Sequence, residues 1–372
     1  MYLEHLSLIN FKNLEEVDLA LSPNLNCFIG NNGVGKTNLM DAIYYLSFCK
    51  SFLNSMDMMN IRHNEDFFVI QGKYRCFEQE EQIYCGVKSG QKKQFKRNKK
   101  DYNKLAEHIG LLPLVIITPS DIDLINGISE ERRKFIDSLI SQYDQVYLDN
   151  LIRYHRALAQ RNKLLKQMSV ARNHQEDQLE VWDDQLVHYG NLIHEKRSEY
   201  IRQLEPVFQM YYELISGGKE KISLVYQSQL NDSDFKMLLD TSLKKDMIVQ
   251  FTTAGIHKDD IHFNMGSHLI KKLGSQGQKK TYLIALKLAQ FEFIKKMSEQ
   301  TPILLLDDIF DKLDALRVKA IVTLVAEEQF GQIFITDTNR EHLDSIIREV
   351  SVGSKIFVVE DGTIKETSHE KE

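Results

Sequence analysis

The sequence predicts an α/β protein whose two chain ends fold together into one head, with a mainly helical lobe inserted between them. Three observations predict it. Alternating apolar residues, the pattern of half-buried strands, dominate roughly the first 120 positions. Helical spacing takes over in the middle of the chain, and short apolar strands return past residue 245. A glycine-rich loop near the start and an apolar strand ending in two carboxylates near the end have complementary chemistry. Most of the 372 residues lie between them.

The elements follow in order. Leu6, Leu8 and the 17–21 stretch alternate as strands, and residues 24–29 form a short apolar strand that feeds the glycine loop. Leu39, Ile43 and Leu46 recur at helical spacing, so a helix follows the loop. Residues 69–75 and 82–88 read as further strands. From about Ser129 the residues Phe135, Leu139, Tyr143, Leu151, Tyr154, Leu158 and Leu165 keep a helical period. A polar stretch over 172–177 interrupts it, and a second run carries Leu186, Leu192, Ile193, Tyr200, Ile201 and Leu204. Pro206 is expected to kink or end that helix, and Ser216-Gly217-Gly218 to close it. Strict heptads are not sustained, so the middle reads as a helical hairpin or bundle, with Trp182 and the tyrosines in its core, and not as an extended coiled coil. Residues 301–307 and 332–336 are strands, and residues 355–364 form a terminal hairpin turning at Glu360-Asp361-Gly362. The boundaries drawn this way are 1–118 for the first part of the head, 119–245 for the lobe and 246–372 for the second part.

Composition narrows the classes. The chain is 42% hydrophobic, enough for a sizeable core, and its formal net charge of −6 restricts any polyanion binding to local basic patches. No apolar run approaches the ~18 residues of a membrane span, and Met1-Tyr2-Leu3-Glu4-His5 lacks a secretory pattern. Cys27, Cys49, Cys76 and Cys85 contain no C-x-x-C pair, so reduced thiols in a cytoplasmic protein are expected.

Gly30-Asn31-Asn32-Gly33-Val34-Gly35-Lys36-Thr37 fits the phosphate-loop pattern G-x-x-x-x-G-K-[ST], between a predicted strand and a predicted helix. Glycines let backbone N–H groups converge on phosphate oxygens, and the helix dipole points at the same anion. Lys36 would add charge at the β- and γ-phosphates of ATP, and Thr37 would ligate Mg²⁺. At the end of Ile303-Leu304-Leu305-Leu306-Asp307-Asp308, Asp307 would hold Mg²⁺ and Asp308 would orient or deprotonate the attacking water.

Gly274-Ser275-Gln276-Gly277-Gln278 precedes a helix whose buried face is marked by Tyr282, Leu286, Ala289 and Phe293. Taken alone, Ser-x-Gly-Gln is also a plain helix cap. The order is more specific. Phosphate loop, long insertion, Ser-x-Gly-Gln, helix and Asp-Asp strand resembles the order in ABC-type ATPases. In that architecture this turn meets the γ-phosphate held by a second subunit. Asp311-Lys312-Leu313-Asp314 stands where such proteins carry a loop across the interface.

From end to end the chain resembles the RecF family of bacterial recombination-mediator ATPases. The resemblance is carried by Asn10-Phe11-Lys12-Asn13, by Thr118-Pro119-Ser120-Asp121 through Asn126-Gly127, and by Arg132-Arg133-Lys134-Phe135-Ile136-Asp137. It continues in Tyr154-His155-Arg156-Ala157-Leu158, Gln160-Arg161-Asn162, Gly255-Ile256-His257-Lys258-Asp259-Asp260 and Ser275-Gln276-Gly277-Gln278. The resemblance implies an ATP-formed homodimer, DNA binding in that state and weak, DNA-stimulated ATP hydrolysis. It also implies work with RecR and RecO in placing RecA on gapped DNA. Asp337 stands where transporter ATPases carry a γ-phosphate-sensing histidine, and no Gln-loop glutamine can be placed. Both departures suit a slow switch. An ABC-type ATPase serving another protein or a membrane partner is the alternative reading.

Candidate DNA contacts are Lys92, Lys93, Lys96 and Arg97 in the lysine-rich 88–104 stretch, with Arg153, Arg156 and Lys163 on a helix face. The same lysines would equally serve to blunt an exposed hairpin. His257, Asp259, Asp260 and His262 are close in sequence, but strand alternation splits them between two faces, which argues against a metal site.

Overall fold

A computed structural model describes residues 1–76, 79–171, 177–218, 220–310, 315–326, 330–339 and 353–367. Along the chain come β1 (Tyr2–Phe11), β2 (Leu14–Ala20), β3 (Leu25–Ile29), α1 (Lys36–Phe48), β4 (Phe67–Cys76), β5 (Gln79–Lys88), β6 (Gln94–Arg97), β7 (Lys100–Asp101) and β8 (Leu114–Ile117). Then follow α2 (Asp123–Asn126), α3 (Ser129–Ile140), α4 (Gln145–Ala171), α5 (Asp177–Ser216), β9 (Ile222–Gln227), α6 (Phe235–Val249), β10 (Asp260–Met265), β11 (His268–Leu269), α7 (Ile270–Leu273) and α8 (Gln276–Ser298). The chain closes with β12 (Ile303–Asp307), α9 (Ala315–Ala326), β13 (Ile333–Asp337), β14 (Ser354–Glu360) and β15 (Thr363–Thr367). Packing divides it into two units. One is Met1–Asp121 with Leu214–Gly217 and Lys280–Glu372; the other is Ile122–Glu213 with Gly218–Lys279.

The first unit contains an antiparallel sheet ordered β2-β1-β4-β5-β6-β7 and a mixed sheet ordered β15-β14-β3-β13-β12-β8. In the mixed sheet every pairing but β14 with β15 is parallel. Parallel strands are covered on both faces, which is why β8, β12 and β13 are buried along their whole length and read as apolar runs, with polar residues only at the carboxyl ends of β12 and β13. In β2, by contrast, the buried residues Leu14, Val17 and Leu19 are separated by exposed ones. Phe28 stacks between Phe357 (4.8 Å) and Phe334 (6.4 Å), one aromatic from each of three adjacent strands. The two sheets are tied by a buried side chain at the start of β13. Gln332 accepts from the Leu3 N–H (2.7 Å) and donates to the carbonyls of Leu3 (2.8 Å) and Ser22 (2.7 Å).

In the second unit α4 and α5 meet through Leu165, Met168 and Leu179. Pro206 does not end α5, which runs on to Ser216. The proline forfeits one backbone bond, while Leu204 and Phe208 on either side are fully buried and hold the turns together. Trp182 is half-buried and lies outside the core, whereas Tyr154, Tyr200 and Tyr212 are buried as expected. The unit extends to Lys279, past the expected break at 245, because β9 from before that break pairs residue by residue with β10 from after it.

Buried charges organise this unit. Arg161 is held by Asp183 (2.5 Å), Asp246 (2.7 Å) and Thr252 (3.0 Å). Arg197 meets Asp137 (2.8 Å), Asp259 (3.3 Å) and the carbonyl of Ile256 (3.0 Å). Arg132 grips both oxygens of Asp260, at 2.6 and 3.0 Å.

In the first unit His108 is fully buried with both ring nitrogens engaged. The carbonyl of Leu46 can only accept, so Nε2 carries the proton (2.6 Å) and Nδ1 accepts from the hydroxyl of Tyr102 (2.8 Å). Burial pushes its pKa down to about 4, against the pull of the Leu46 bond. The unfolded chain therefore takes up a proton between pH 6.5 and 4 that the folded chain refuses, and stability falls as pH drops through that window. Between pH 7 and pH 4.5, denaturant titration should show about 2 kcal/mol of acid loss that disappears in His108→Gln. An unchanged acid loss in that variant would remove His108 from the account.

Candidate functional site

The phosphate loop joins the end of β3 to α1 in the first unit. Gly35, the residue before α1, has φ of +119°, a conformation L side chains rarely adopt, and a Cβ there would lie 2.9 Å from Asn13 Oδ1. At Gly30 a Cβ would come within 2.3 Å of the Val359 carbonyl. Asn13 also donates to the Val34 carbonyl (3.0 Å) and accepts from Asn38 (2.7 Å), bracing the loop from outside. Lys36 is nearly buried, with Nζ donating to the carbonyls of Gly30 (2.7 Å) and Asn31 (2.9 Å). Burial lowers its pKa, opposed by the charges of Asp308, Asp307 and Asp337.

The two distant motifs meet. Thr37 Oγ1 lies 2.9 and 3.1 Å from the two carboxylate oxygens of Asp307, across 270 positions of sequence. Thr336 on the intervening strand donates to the same carboxylate at 2.7 Å. Strand register produces this, because Phe28, Thr336 and Asp307 are paired neighbours at the carboxyl ends of β3, β13 and β12. Burial raises the pKa of Asp307, and the charge of Asp308 adds to the rise, against the hydroxyls of Thr336 and Thr37. Asp308 sits at φ +49°, its N–H shared between Thr336 Oγ1 (3.0 Å) and the Thr336 carbonyl (3.2 Å). Asp337 is buried and accepts from the N–H of Asn339 (2.8 Å).

In the second unit the Ser275–Gln278 turn caps α8. The Ser275 hydroxyl accepts from the Gln278 N–H (3.2 Å), and the Gln278 side-chain oxygen accepts from the Ser275 N–H (2.8 Å), a reciprocal capping box. The plain cap reading of these residues is therefore correct as far as it goes. Ser275 and Gln276 are exposed, and Gly277 lies between them and Gln278. Lys279, next in the helix, donates to Asn126 Oδ1 and to the Lys271 carbonyl, both at 3.0 Å, and Lys271 donates to the Gly127 carbonyl (3.2 Å). Asp311, Lys312, Leu313 and Asp314 lie outside the described residues.

The basic candidates sort into two groups. Lys93 is not a free surface charge: it is bound by Asp57 (2.8 Å) and the Cys49 carbonyl (2.8 Å) over the Tyr45 ring. Arg97 is held at two points by Glu81, at 2.8 and 2.6 Å. Lys96 faces Asp101 (3.9 Å), and Arg153 is paired with Asp149 (2.6 Å). Lys92, Arg156 and Lys163 are exposed with no acidic partner among the described residues, as are Lys99, Lys100 and Lys104. The histidine–aspartate group is absorbed into structure. His257 bonds Tyr154 (2.8 Å) and the Thr252 carbonyl (3.0 Å), while Asp259 and Asp260 serve Arg197 and Arg132. Among the described residues no His, Cys, Asp and Glu group is arranged to hold a metal, and no helix is long and apolar enough to cross a membrane.

Sequence reading missed Thr336 and Gln332, because a polar residue in an apolar strand carries no signal of its partner. It quoted Asn13 and Asp121 only as family markers. Asp121 proves to accept from the Thr118 N–H (2.7 Å) and from buried Lys287 (2.8 Å).

Fold and site together define an ABC/SMC-like ATPase head. The profile described as "RecF/RecN/SMC N terminal domain" matches residues 2–365. The protein named DNA replication and repair protein RecF from Phocaeicola vulgatus is 53% identical over 368 residues, 98% of each chain. Its namesake from Bacteroides thetaiotaomicron is 52% identical over the full length of both. A solved structure described as the recombination mediator protein RecF with ATP in the RecFOR pathway superposes with a TM-score of 0.89 at 30% identity, covering 99% of this chain and 98% of that one. An Smc head bound to the C-terminal winged-helix domain of ScpA gives a TM-score of 0.59 at 17% identity, a likeness of fold alone. The chain belongs to the RecF family.

Sorting the lysines makes a prediction. Lys93→Ala leaves Asp57 with the Tyr45 hydroxyl but without its counter-charge, and should cost about 1–3 kcal/mol in denaturant unfolding. Lys92→Ala should stay within about 0.5 kcal/mol. Equal effects would mean that Lys93 is as free as its neighbour.

Proposed function

We propose that this chain is an ATP-dependent DNA-binding protein of DNA repair, replication and recombination. ATP joins two copies into a clamp on duplex or gapped DNA, slow hydrolysis times its release, and RecR and RecO are the partners through which it assists RecA loading. The observation that carries the reading is the meeting of Thr37 with Asp307 at the mouth of the phosphate loop. Relatives named for DNA replication and repair, and a structural neighbour described with ATP, support it.

Each residue then has a task. The backbone N–H groups around Gly33 and Gly35 and the dipole of α1 receive the phosphates, with Lys36 as the neutralising charge. Thr37 and Asp307 fit Mg²⁺, since a hydroxyl and a buried carboxylate are the hard oxygen donors it prefers. When bound, that ion would neutralise charge on the phosphate oxygens. Asp308, fixed through its N–H, orients the attacking water. Exposed Ser275, at the start of α8, addresses the nucleotide of a second copy. Among the described residues, Lys92, Lys99, Lys100 and Lys104 in the first unit, and separately Arg156 and Lys163 in the second, are exposed without an acidic partner and suit contact with a phosphate backbone. Backbone contact needs no base reading.

Fluorescence anisotropy of a labelled gapped duplex tests the switch. Tight binding with ATP, and weak binding with ADP or no nucleotide, is expected, and Lys36→Ala should abolish the ATP-dependent part. Binding indifferent to nucleotide would remove the switch, and no binding in any state would point to an ATPase whose partner is another protein. Asp308→Asn should keep ATP binding, slow hydrolysis by about 10-fold or more and lengthen the life of the dimer. Unchanged turnover in that variant would take Asp308 out of the chemistry.

A further inference from the structure

Gln278 carries an amide with two unlike ends, and each end has a different neighbour. Its oxygen accepts from the Ser275 N–H at 2.8 Å, and its nitrogen donates to Glu220 at 2.5 Å. Turned half round, the amide would set N–H against N–H at Ser275, and the capping box would be lost. An ionised carboxylate only accepts, so Glu220 admits the nitrogen end alone. The other oxygen of Glu220 accepts from the hydroxyl of Tyr212 at 2.6 Å. Tyr212 is fully buried in α5, so the carboxylate is itself held in place.

We propose that Glu220 is a positioning residue for the Ser275 hydroxyl: by fixing which way the Gln278 amide lies, it sets the turn that meets the nucleotide of a second copy. This rests on the two-copy reading above. The capping box leaves Ser275 in a defined chemical state. Its oxygen takes the Gln278 N–H at 3.2 Å, which holds the side chain in place while its own proton stays available to an acceptor. A capped helix start offers the same acceptor its dipole. Loss of Glu220 would leave α8 largely intact and the turn wrongly set.

The test compares Glu220→Lys with Glu220→Gln in the full chain. Lysine offers only donors and demands the oxygen end of Gln278; glutamine keeps an acceptor of the same shape. Analytical ultracentrifugation with ATP should show dimerisation weakened about 10-fold or more in E220K and by less than about 3-fold in E220Q. Binding of a fluorescent ATP analogue, measured below the dimerisation concentration, should be equal in all three proteins, because the phosphate loop belongs to the other unit. Ser275→Arg is the control that should abolish the dimer. An E220K dimer as tight as wild type overturns the proposal. Equal weakening in E220K and E220Q also overturns it, since orientation would then not be what matters. A wild-type chain that stays monomeric with ATP sinks the two-copy reading itself, and the proposal with it. If E220K does not fold, Tyr212→Phe decides the matter. It releases Glu220 without new charge and should weaken the dimer about 5-fold, and no change overturns the proposal.

Discussion

Three parallel strands that end at the same level are the constraint on which the phosphate-loop end of this protein depends. β3, β13 and β12 place Phe28, Thr336 and Asp307 in one row, and the Thr336 hydroxyl ties that row to the carboxylate. A slip of one residue would turn Asp307 to the other face of the sheet and carry it away from Thr37. Several features guard the register. Phe28 is stacked by aromatics from both neighbouring strands, and the Gln332 side chain fixes the start of β13 to the backbone of Leu3 in β1 through two bonds. The loop glycines matter only because the strands bring their partners to the right height.

The second unit solves a different problem with different means. It is built on long helices and a three-stranded sheet, and its interior holds Arg161, Arg197 and Arg132. Burying a charge is costly, and here each cation is met by one or more carboxylates and by hydroxyl or carbonyl oxygens. Removing one member of such a set costs about 3–5 kcal/mol because the remainder is left unpaired. Arg132, Asp137, Arg161, Asp259 and Asp260 all lie in the sequence blocks that carry the family resemblance. Their placement gives those blocks a physical meaning: they are the pairs that fix how helix meets sheet within this unit.

Much of this was legible in the sequence, for identifiable reasons. Apolar runs and alternation located the strands, because burial on two faces or one leaves a different period. The phosphate loop was legible because few residue types permit its backbone. Its pairing with Asp307 was legible because the chemistry requires an acid at a strand end. Other features were hidden. Pro206 read as a kink or a stop because the rule weighs one lost hydrogen bond and not the buried neighbours on either side. Lys93 and Arg97 read like their neighbours because a lysine run does not show which member points inward. Glu220 had no signal at all, since a single acid near two glycines looks like solvent-facing loop until Gln278 is brought to it.

The arrangement of the mixed sheet also governs how this chain is born. Both strands that flank β3, β13 and β14, come from its last stretch. They leave the ribosome about 300 residues after β3, which at 5–20 residues per second is roughly 15–60 s later. For that time an apolar strand has neither neighbour, an exposed edge of the kind that invites aggregation. The second unit, uninterrupted in sequence but for a few residues, can close while the first still waits. During synthesis residues 25–29 are therefore the stretch that must be kept from other chains until the C-terminal strands arrive.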